Sequence, residues 1–195
     1  MLLPDVSQLC AQVADASDER AFARLFEHFS PGMLHFANGI VRDPSAAEEI
    51  VSDVFVSVWK NRDMLHTIRS LPYYLYTSTK NRAINYLEAR KKQRHIKTYD
   101  IQAEEISFSY VTPETHCIDA DNLKRLIKAI AALPYQCQLI FKLSKEERLT
   151  HKEIAQLLNI STKTVENQIT IAMRKLFETL KAVVPELSRY RKTGK

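Results

Sequence analysis

The side chains that most often catalyse reactions or bind metals are scattered along this sequence of 195 residues. Its six histidines are His28, His35, His66, His95, His116 and His151, and its three cysteines are Cys10, Cys117 and Cys137. They show neither the spacing of metal ligands nor that of a nucleophile with its base. The odd number of cysteines indicates reduced thiols. We therefore expect no enzyme, no metal site, no other cofactor and no small-molecule substrate.

Residues 163–174 offer a different chemistry, hydrogen bonding to nucleic acid. An amide side chain can bind the edge of adenine through two hydrogen bonds, and lysine or arginine can reach guanine or a phosphate. The candidate side chains are Lys163, Thr164, Asn167, Gln168, Thr170 and Arg174. A solvated helix in an ordinary bundle is the alternative interpretation of the same residues.

Two short helices are predicted to present these side chains. Thr150 and Glu153 have the spacing of a capping box, in which each side chain bonds the backbone amide of the other. A tight turn, with Ile160 buried between the helices, leads to a second helix capped by Ser161 or Thr162. The residues expected to face inward on that helix are Val165, Ile169, Ala172, Met173, Leu176 and Leu180. This pattern is typical of a helix-turn-helix, whose second helix enters the major groove of DNA.

A basic segment lies nearer the middle of the chain. Residues 80–97 contain seven basic residues and one acidic residue. The tyrosines Tyr73, Tyr74 and Tyr76 lie just before them. Cations attract phosphates, while aromatic faces and amides can hold unstacked bases, so the mixture favours single-stranded or opening DNA. Alternatively, Tyr74 and Tyr86 belong to the core and the cations are merely solvated.

Hydrophobic spacing predicts the helices around these residues. One helix opens at Pro72 and reaches the early 90s, after a polar loop at residues 61–70. Its expected core residues are Leu75, Thr79, Ala83, Tyr86 and Leu87. Another helix begins at Asn122 and stops before Pro134, and a further one follows it.

The first sixty residues are acidic, with nine acidic and four basic residues. A helix is predicted from Ser17, bent or interrupted at Pro31-Gly32. The next helix begins with Asp43 as its cap and Pro44 in its first turn. Its apolar stripe consists of Ala47, Ile50, Val51, Val54, Phe55 and Val58 and runs to Trp59. The acidic segment 1–60 and the basic segment 80–97 predict two different partners.

These segments predict an all-α protein of two small helical domains joined by a flexible acidic linker. Only three glycines are present, so few hairpin turns can be built. The expected divisions are a domain at 1–96, the linker at 97–120, a domain at 121–184 and a basic tail at 185–195. No apolar run approaches the roughly 20 residues that span a bilayer, and no signal peptide is predicted. We therefore expect a cytoplasmic protein.

Residues 21–93 and 122–182 resemble the extracytoplasmic-function (ECF) sigma factors of bacterial RNA polymerase, most closely the type common in Bacteroidetes. Residues 43–59 resemble the family's polymerase-binding helix, residues 74–87 its promoter-melting helix, and residues 149–176 its reader of the minus-thirty-five element. The sequence departs from the family at Ile171, where a basic residue is common. The resemblance implies an alternative sigma factor that binds core polymerase, directs it to promoters and starts DNA melting.

The resemblance also implies partners and site residues. Core polymerase would be bound through the coiled coil of its largest subunit and through its flap, and an anti-sigma factor linked to the membrane is a further expected partner. The residues implied in polymerase binding are Glu49, Ser52, Asp53, Val56 and Trp59. Those implied in binding the minus-ten element are Tyr73, Lys80, Asn81, Arg82 and Asn85, together with the loop 61–70. For Trp59, closing the domain core is the alternative role.

A conventional helix-turn-helix regulator is the competing function. It would carry a dimerisation or sensing domain in front of its DNA-binding domain. Residues 1–90 lack the alternating strands and helices of a receiver domain, which disfavours one version of this hypothesis. A pull-down with polymerase distinguishes the two, because a regulator does not replace sigma on the core enzyme.

Overall fold

The structure is a computed structural model that describes residues 5–94 and 127–181, and these ranges belong to two separate compact units. Every regular element in the two ranges is a helix, which confirms the all-α prediction. The predicted acidic linker at 97–120, the basic tail at 185–195 and the start of the helix predicted from Asn122 lie outside the described residues. Each unit is described by itself.

The first unit begins with α1 (Val6–Ala16), a helix that has no counterpart among the predicted elements. Asp5 caps its start, because one carboxylate oxygen accepts hydrogen bonds from two backbone amides at 3.1 and 3.2 Å. Leu9 and Val13, one turn apart, are its buried residues. Two apolar positions define no recognisable period, so the helix could not be found from hydrophobic spacing.

Helix α2 (Glu19–Val41) continues through Pro31 as one element, so the predicted interruption does not occur. Proline removes a backbone hydrogen bond, which costs about 3 kcal/mol or more in a helix interior. The buried face continues on both sides of it, with Leu25 and Phe29 before and Met33 after. Burial of each such side chain contributes about 1.5–3 kcal/mol. Packing therefore outweighs the local cost of the proline.

Helix α3 (Pro44–Lys60) begins as predicted. An oxygen of the Asp43 carboxylate accepts a hydrogen bond from the amide of Ala46 at 3.2 Å, and Pro44 occupies the first helical position. The predicted apolar stripe is buried throughout: Ala47, Ile50, Val51, Val54, Phe55 and Val58. This face packs against α2, which leaves the opposite face of α3 in solvent.

The predicted loop at residues 61–70 contains a short 3-10 helix, η1 (Arg62–Thr67), so this part of the prediction is wrong. The amide of Ile68 donates to the carbonyl of Leu65 at 3.3 Å, and Leu65 is buried. A 3-10 helix of this length needs no repeating apolar pattern. A polar stretch with one anchoring leucine therefore shows no helical periodicity in the sequence.

Helix α4 (Leu71–Arg94) begins one residue before Pro72, the predicted start, and is the last described helix of the first unit. Three of its predicted core residues are buried and two are half-buried: Leu75, Thr79 and Ala83, then Tyr86 and Leu87. It packs against α2 through an edge-to-face contact between Phe36 and Tyr76, whose ring centroids are 5.4 Å apart.

The described part of the second unit contains helical residues 127–131 and the helices α5 (Tyr135–Lys145), α6 (His151–Leu158) and α7 (Thr162–Lys181). Their buried residues include Ile140, Leu143, Ile154, Leu157, Val165 and Leu176. All three helices contact one another. The second unit therefore has an apolar core of its own.

Helices α6 and α7 form the predicted helix-turn-helix. The Thr150 hydroxyl accepts from the Glu153 amide at 3.2 Å, and the Glu153 carboxylate accepts from the Thr150 amide at 2.8 Å, which confirms the capping box. Asn159 ends α6 in the left-handed region at φ 54°, a conformation that asparagine tolerates. Ser161 caps α7, because its hydroxyl accepts from the Thr164 amide at 3.0 Å.

Two burial predictions in this motif are wrong. Met173, predicted to face inward, is 49% exposed, and Ile160 is half-buried rather than buried. Helix α7 buries Ala172 and Leu176, and successive residues are about 100° apart around a helix, so position 173 falls at the edge of the apolar face.

Candidate functional site

The outward face of α3 presents four of the five residues predicted to bind polymerase. Glu49, Ser52, Asp53 and Val56 are exposed at the spacing of one helix face. Val56 is 49% exposed, so an apolar side chain lies in solvent beside two carboxylates. Like charges four residues apart destabilise a helix by about 0.2–0.5 kcal/mol. This face is suited to a basic partner that also covers Val56.

Trp59 lies at the edge of this face and is half-buried. Its ring contacts that of Phe22 on α2, with centroids 4.9 Å apart. On η1, Arg62 places its guanidinium carbon 5.1 Å from the Trp59 ring centroid. Trp59 therefore joins α2, α3 and η1, as expected for the core-closing role, while part of its ring stays accessible to a partner.

The polar residues of α4 do not share one face. Asn81 and Asn85 are exposed and one turn apart, so they form a row. Arg82 points instead toward α3, where it lies 3.1 Å from the Asp53 carboxylate and donates to the Ser57 hydroxyl at 2.6 Å. A residue predicted to bind DNA thus pairs with one predicted to bind polymerase. Because both are partly exposed, the ion pair stabilises the fold by only about 0–1 kcal/mol.

The tyrosines at the start of α4 have different environments. Tyr76 is 2% exposed and belongs to the core. Tyr74 is 37% exposed, so the alternative that placed it in the core is wrong. Tyr73 and the predicted DNA-binding Lys80 are half-buried.

A cavity of about 270 Å³ opens between η1 and the start of α4. Its lining residues are Val58, Asn61, Met64, Leu65, Thr67, Ile68 and Tyr74. Apolar walls, an aromatic ring and a few polar groups are suited to a flat aromatic ligand such as an unstacked base. Met64 lies in the loop 61–70 that was implied in minus-ten binding but was not named individually, and Tyr74 was not among the residues named for that site. The sequence signal for Met64 is a large apolar residue in a mostly polar stretch, and in the fold its side chain is 59% exposed.

The reading face of α7 is present as a row of exposed side chains: Lys163, Asn167, Thr170 and Arg174. Their spacing of four, three and four residues keeps them on one side of the helix. Thr164 and Gln168 are half-buried beside the row. The hydroxyls of Thr164 and Ser161 are 2.8 Å apart, so Thr164 also supports the start of the helix.

Ile171 does not lie on this reading face. It is half-buried and packs against the apolar cluster that contains Leu133 and Cys137. The position at which the resembling family often has a basic residue therefore contacts the core of the second unit.

Two family models match the chain in the order of its two units. The model described as sigma-70 region 2 matches residues 25–94, and the model described as sigma-70, region 4 matches residues 123–176. Together they span well over half of the chain. The first match covers α2 from residue 25 onward together with α3, η1 and α4, and the second contains the helix-turn-helix up to Leu176.

Curated relatives agree with these matches. The ECF RNA polymerase sigma factor RpoE of Cereibacter sphaeroides is 29% identical over 175 residues, which are 86% of this chain and 91% of the relative. The ECF sigma factor SigK of Mycobacterium tuberculosis is 22% identical over 178 residues, 90% of this chain and 93% of the relative. A solved structure of the sigma factor RpoE with the anti-sigma factor NepR, from Bartonella quintana, has 17% identity and a TM-score of 0.49, with 83% of this chain and 98% of that chain covered.

The chain belongs to the ECF group of the sigma-70 family. It is an alternative sigma factor for RNA polymerase, and sigma factors bind core polymerase and promoter DNA. They are transcription initiation factors and not classical enzymes. Within residues 5–94 and 127–181, no helix has the length and apolarity to cross a membrane.

Proposed function

We propose that this sigma factor works through three surfaces, each on a defined helix. The exposed face of α3 binds core polymerase, η1 with α4 binds the opened minus-ten element, and the reading face of α7 binds the minus-thirty-five element. The observation that carries the proposal is that each unit exposes amide side chains of its own. These are Asn81 and Asn85 in the first unit and Asn167 in the second.

The polymerase-binding surface combines charge with one apolar contact. Glu49 and Asp53 supply negative charge for the basic coiled coil of the largest polymerase subunit, and Val56 supplies area that the partner removes from water. Ser52 lies between the carboxylates, and the accessible part of Trp59 extends the surface. The flap of the polymerase is proposed as a second contact on the strength of the resemblance.

The minus-ten surface would capture a base of the non-template strand. Unstacking a base costs a few kcal/mol, and stacking on an aromatic ring returns about 1–3 kcal/mol. Tyr74 and Met64 border the cavity beside η1, which offers such a ring and apolar walls. Asn85 and Asn81 supply amides, and Tyr73 and Lys80 supply the flanking aromatic and cationic groups. Arg82 would join them on leaving its pair with Asp53.

The minus-thirty-five surface would read duplex DNA in the major groove. Asn167 and Gln168 can bond base edges, and Lys163 and Arg174 can reach guanine or phosphate. Thr164 and Thr170 complete the set. The Thr170 hydroxyl donates to the backbone carbonyl of Glu166 at 2.8 Å and keeps its oxygen available as an acceptor.

Four broader features are proposed with this function. The domains extend over 1–96 and 121–184 with a linker at 97–120, and the two family matches fall within those domains. The resemblance over residues 21–93 and 122–182 supports the type common in Bacteroidetes, and membership of the ECF group supports an anti-sigma partner. The chain would act in the cytoplasm, because core polymerase works there.

The function is tested by transcription in vitro with core polymerase and a library of promoter DNA, followed by sequencing of the transcript starts. We expect starts that share a two-part upstream motif and that core polymerase alone does not produce. Asp53→Asn should weaken core binding and lower transcription, whereas Glu27→Gln, an exposed carboxylate on α2, should not. Transcript starts identical to those of core polymerase alone would refute the proposal.

A further inference from the structure

Helix α1 lies outside the region-2 match, which begins at residue 25, yet it contacts η1 directly. The ring nitrogen Nε2 of His66 lies 2.9 Å from the Asp15 carboxylate. The Arg62 Nε donates to the Ser17 hydroxyl at 2.7 Å. Asp15 and Ser17 stand at the end of α1, so two polar contacts join this end to the 3-10 helix.

Arg62 makes further contacts with α3. Its Nη1 donates to the backbone carbonyl of Trp59 at 3.1 Å, and its guanidinium lies over the Trp59 ring. The same side chain therefore bridges the end of α1 and the end of α3. Because the guanidinium is planar and its donors have fixed directions, this arrangement restricts where η1 can lie.

The residues of η1 divide between two tasks. Arg62 and His66 contact α1, whereas Met64 and Thr67 line the cavity. Leu65 is buried and also lines the cavity. A 3-10 helix of six residues has poor hydrogen-bond geometry and little stability of its own. The shape of the cavity therefore depends on what holds η1 in place.

We propose that Asp15 and Ser17 are positioning residues that hold η1, through His66 and Arg62, in the geometry that accepts an unstacked minus-ten base. The inference rests on the proposed base capture and extends it to a helix outside the matched region. Neither residue needs to touch DNA. Their contribution is to reduce the number of conformations that η1 must give up when the base enters.

The test compares wild type with the double variant Asp15→Ala and Ser17→Gly, which removes both acceptor oxygens. Ser17 has φ 48°, a left-handed conformation that glycine adopts readily, so the substitution removes the hydroxyl while the helix end keeps its geometry. The matched control replaces Gln8 and Gln12, exposed residues on the same helix, with alanine. Asparagine at position 17 keeps an acceptor oxygen and tolerates this conformation. Ser17→Asn should therefore retain more of the preference for the intact base than Ser17→Gly does.

The measurement is the affinity of holoenzyme for fork-junction promoter DNA whose minus-ten strand is single and carries an abasic site at each position in turn. Wild-type holoenzyme should bind about fivefold or more weakly when the abasic site replaces the captured base than when that base is intact. The double variant should lose at least about threefold in its preference for the intact base, with unchanged affinity for the abasic DNA. The control pair should behave as wild type.

Three outcomes overturn part of this scheme, and they are distinguishable. If wild type discriminates at no position, base capture itself fails and the proposed function must be revised. If wild type and the double variant discriminate equally, the positioning role alone fails. If the double variant loses affinity for intact DNA and for abasic DNA by the same factor relative to wild type, α1 has a general structural role and the inference is overturned.

Discussion

Asn38 is buried on α2 at 5% exposure, and within the described residues neither polar atom of its side chain has a hydrogen-bond partner. A buried polar group without a partner costs about 1–3 kcal/mol. Leucine has a similar branched shape, although it is larger, and it has no polar atoms. We therefore predict that Asn38→Leu raises the free energy of unfolding of the first unit by about 1 kcal/mol or more. A urea titration followed through Trp59, the single tryptophan of the chain, measures it.

The same substitution at an exposed helical position provides the control. Asn81→Leu on α4 changes helix propensity by only a few tenths of a kcal/mol and removes no buried amide. If Asn38→Leu raises the free energy of unfolding no more than Asn81→Leu does, the buried amide is not destabilising.

Cys137 allows a prediction about pH. Burial raises the pKa of its thiol above the ordinary value, while the charge of Lys175 and a backbone hydrogen bond from Ala172 act in the opposite direction. A higher pKa means less thiolate, the reactive form, at any given pH. We predict that iodoacetamide modifies Cys137 more slowly in the folded chain than in urea, and that the folded rate rises only at higher pH. Peptide mass spectrometry measures both rates, and equal profiles would contradict the prediction.

Arg82 illustrates why residue type alone does not determine a role. Its position in a basic segment predicts a DNA contact, and its place beside Asn81 supports that prediction. In the fold it pairs with Asp53, 29 positions earlier in the sequence. A single residue step turns a side chain by about 100° around a helix, which separates Arg82 from the exposed asparagine row. Only the packing of α3 against α4 determines this partner.

At the scale of elements, the capping box of α6 supports a quantitative prediction. Thr150→Ala removes the hydroxyl that accepts from the Glu153 amide, and loss of such a cap costs about 1 kcal/mol. Hydrogen exchange of the peptide that contains α6 should therefore accelerate about fivefold. His151→Ala, an exposed neighbour, is the control. Equal exchange in the two variants would mean that the cap does not limit opening of α6.

Elements with strong end signals or long apolar stripes were predictable from sequence. The start of α3 at Asp43-Pro44 and the capping box of α6 use local hydrogen bonds that involve only neighbouring residues. The exceptions were α1, η1 and the unbroken α2, whose existence depends on contacts with other helices. Local signals are visible in a sequence, whereas stabilisation by a distant helix is not.

At the scale of the whole molecule, substitutions in the minus-ten surface and in the minus-thirty-five surface should impair different steps of initiation. Each good base contact contributes about 1–3 kcal/mol of discrimination, or roughly fivefold or more. We predict that Asn167→Ala with Arg174→Ala abolishes the preference for an intact minus-thirty-five element and leaves core binding unchanged. Asn81→Ala with Asn85→Ala should keep that preference and impair promoter opening.

Both double variants are compared on promoters with an intact or a scrambled upstream element, with binding and opening measured separately. Lys175→Ala provides the control for α7, because Lys175 is exposed but lies outside the reading row. Unchanged promoter selection by the α7 variant would show that the reading face is assigned to the wrong residues.

The sequence by itself determined the helical class, the two-part organisation and the candidate residues on α3, α4 and α7. The helical class, the two-part organisation and the α7 candidates follow from periodicity, local caps and charge, which depend on near neighbours along the chain, whereas the candidates on α3 and α4 were implied by the family resemblance. Tertiary structure alone decided that Tyr74 rather than Tyr76 lines the cavity, that Arg82 meets Asp53, and that α1 supports η1. Each of these depends on which helix packs against which, because burial and contact distances are set by residues far apart in the sequence.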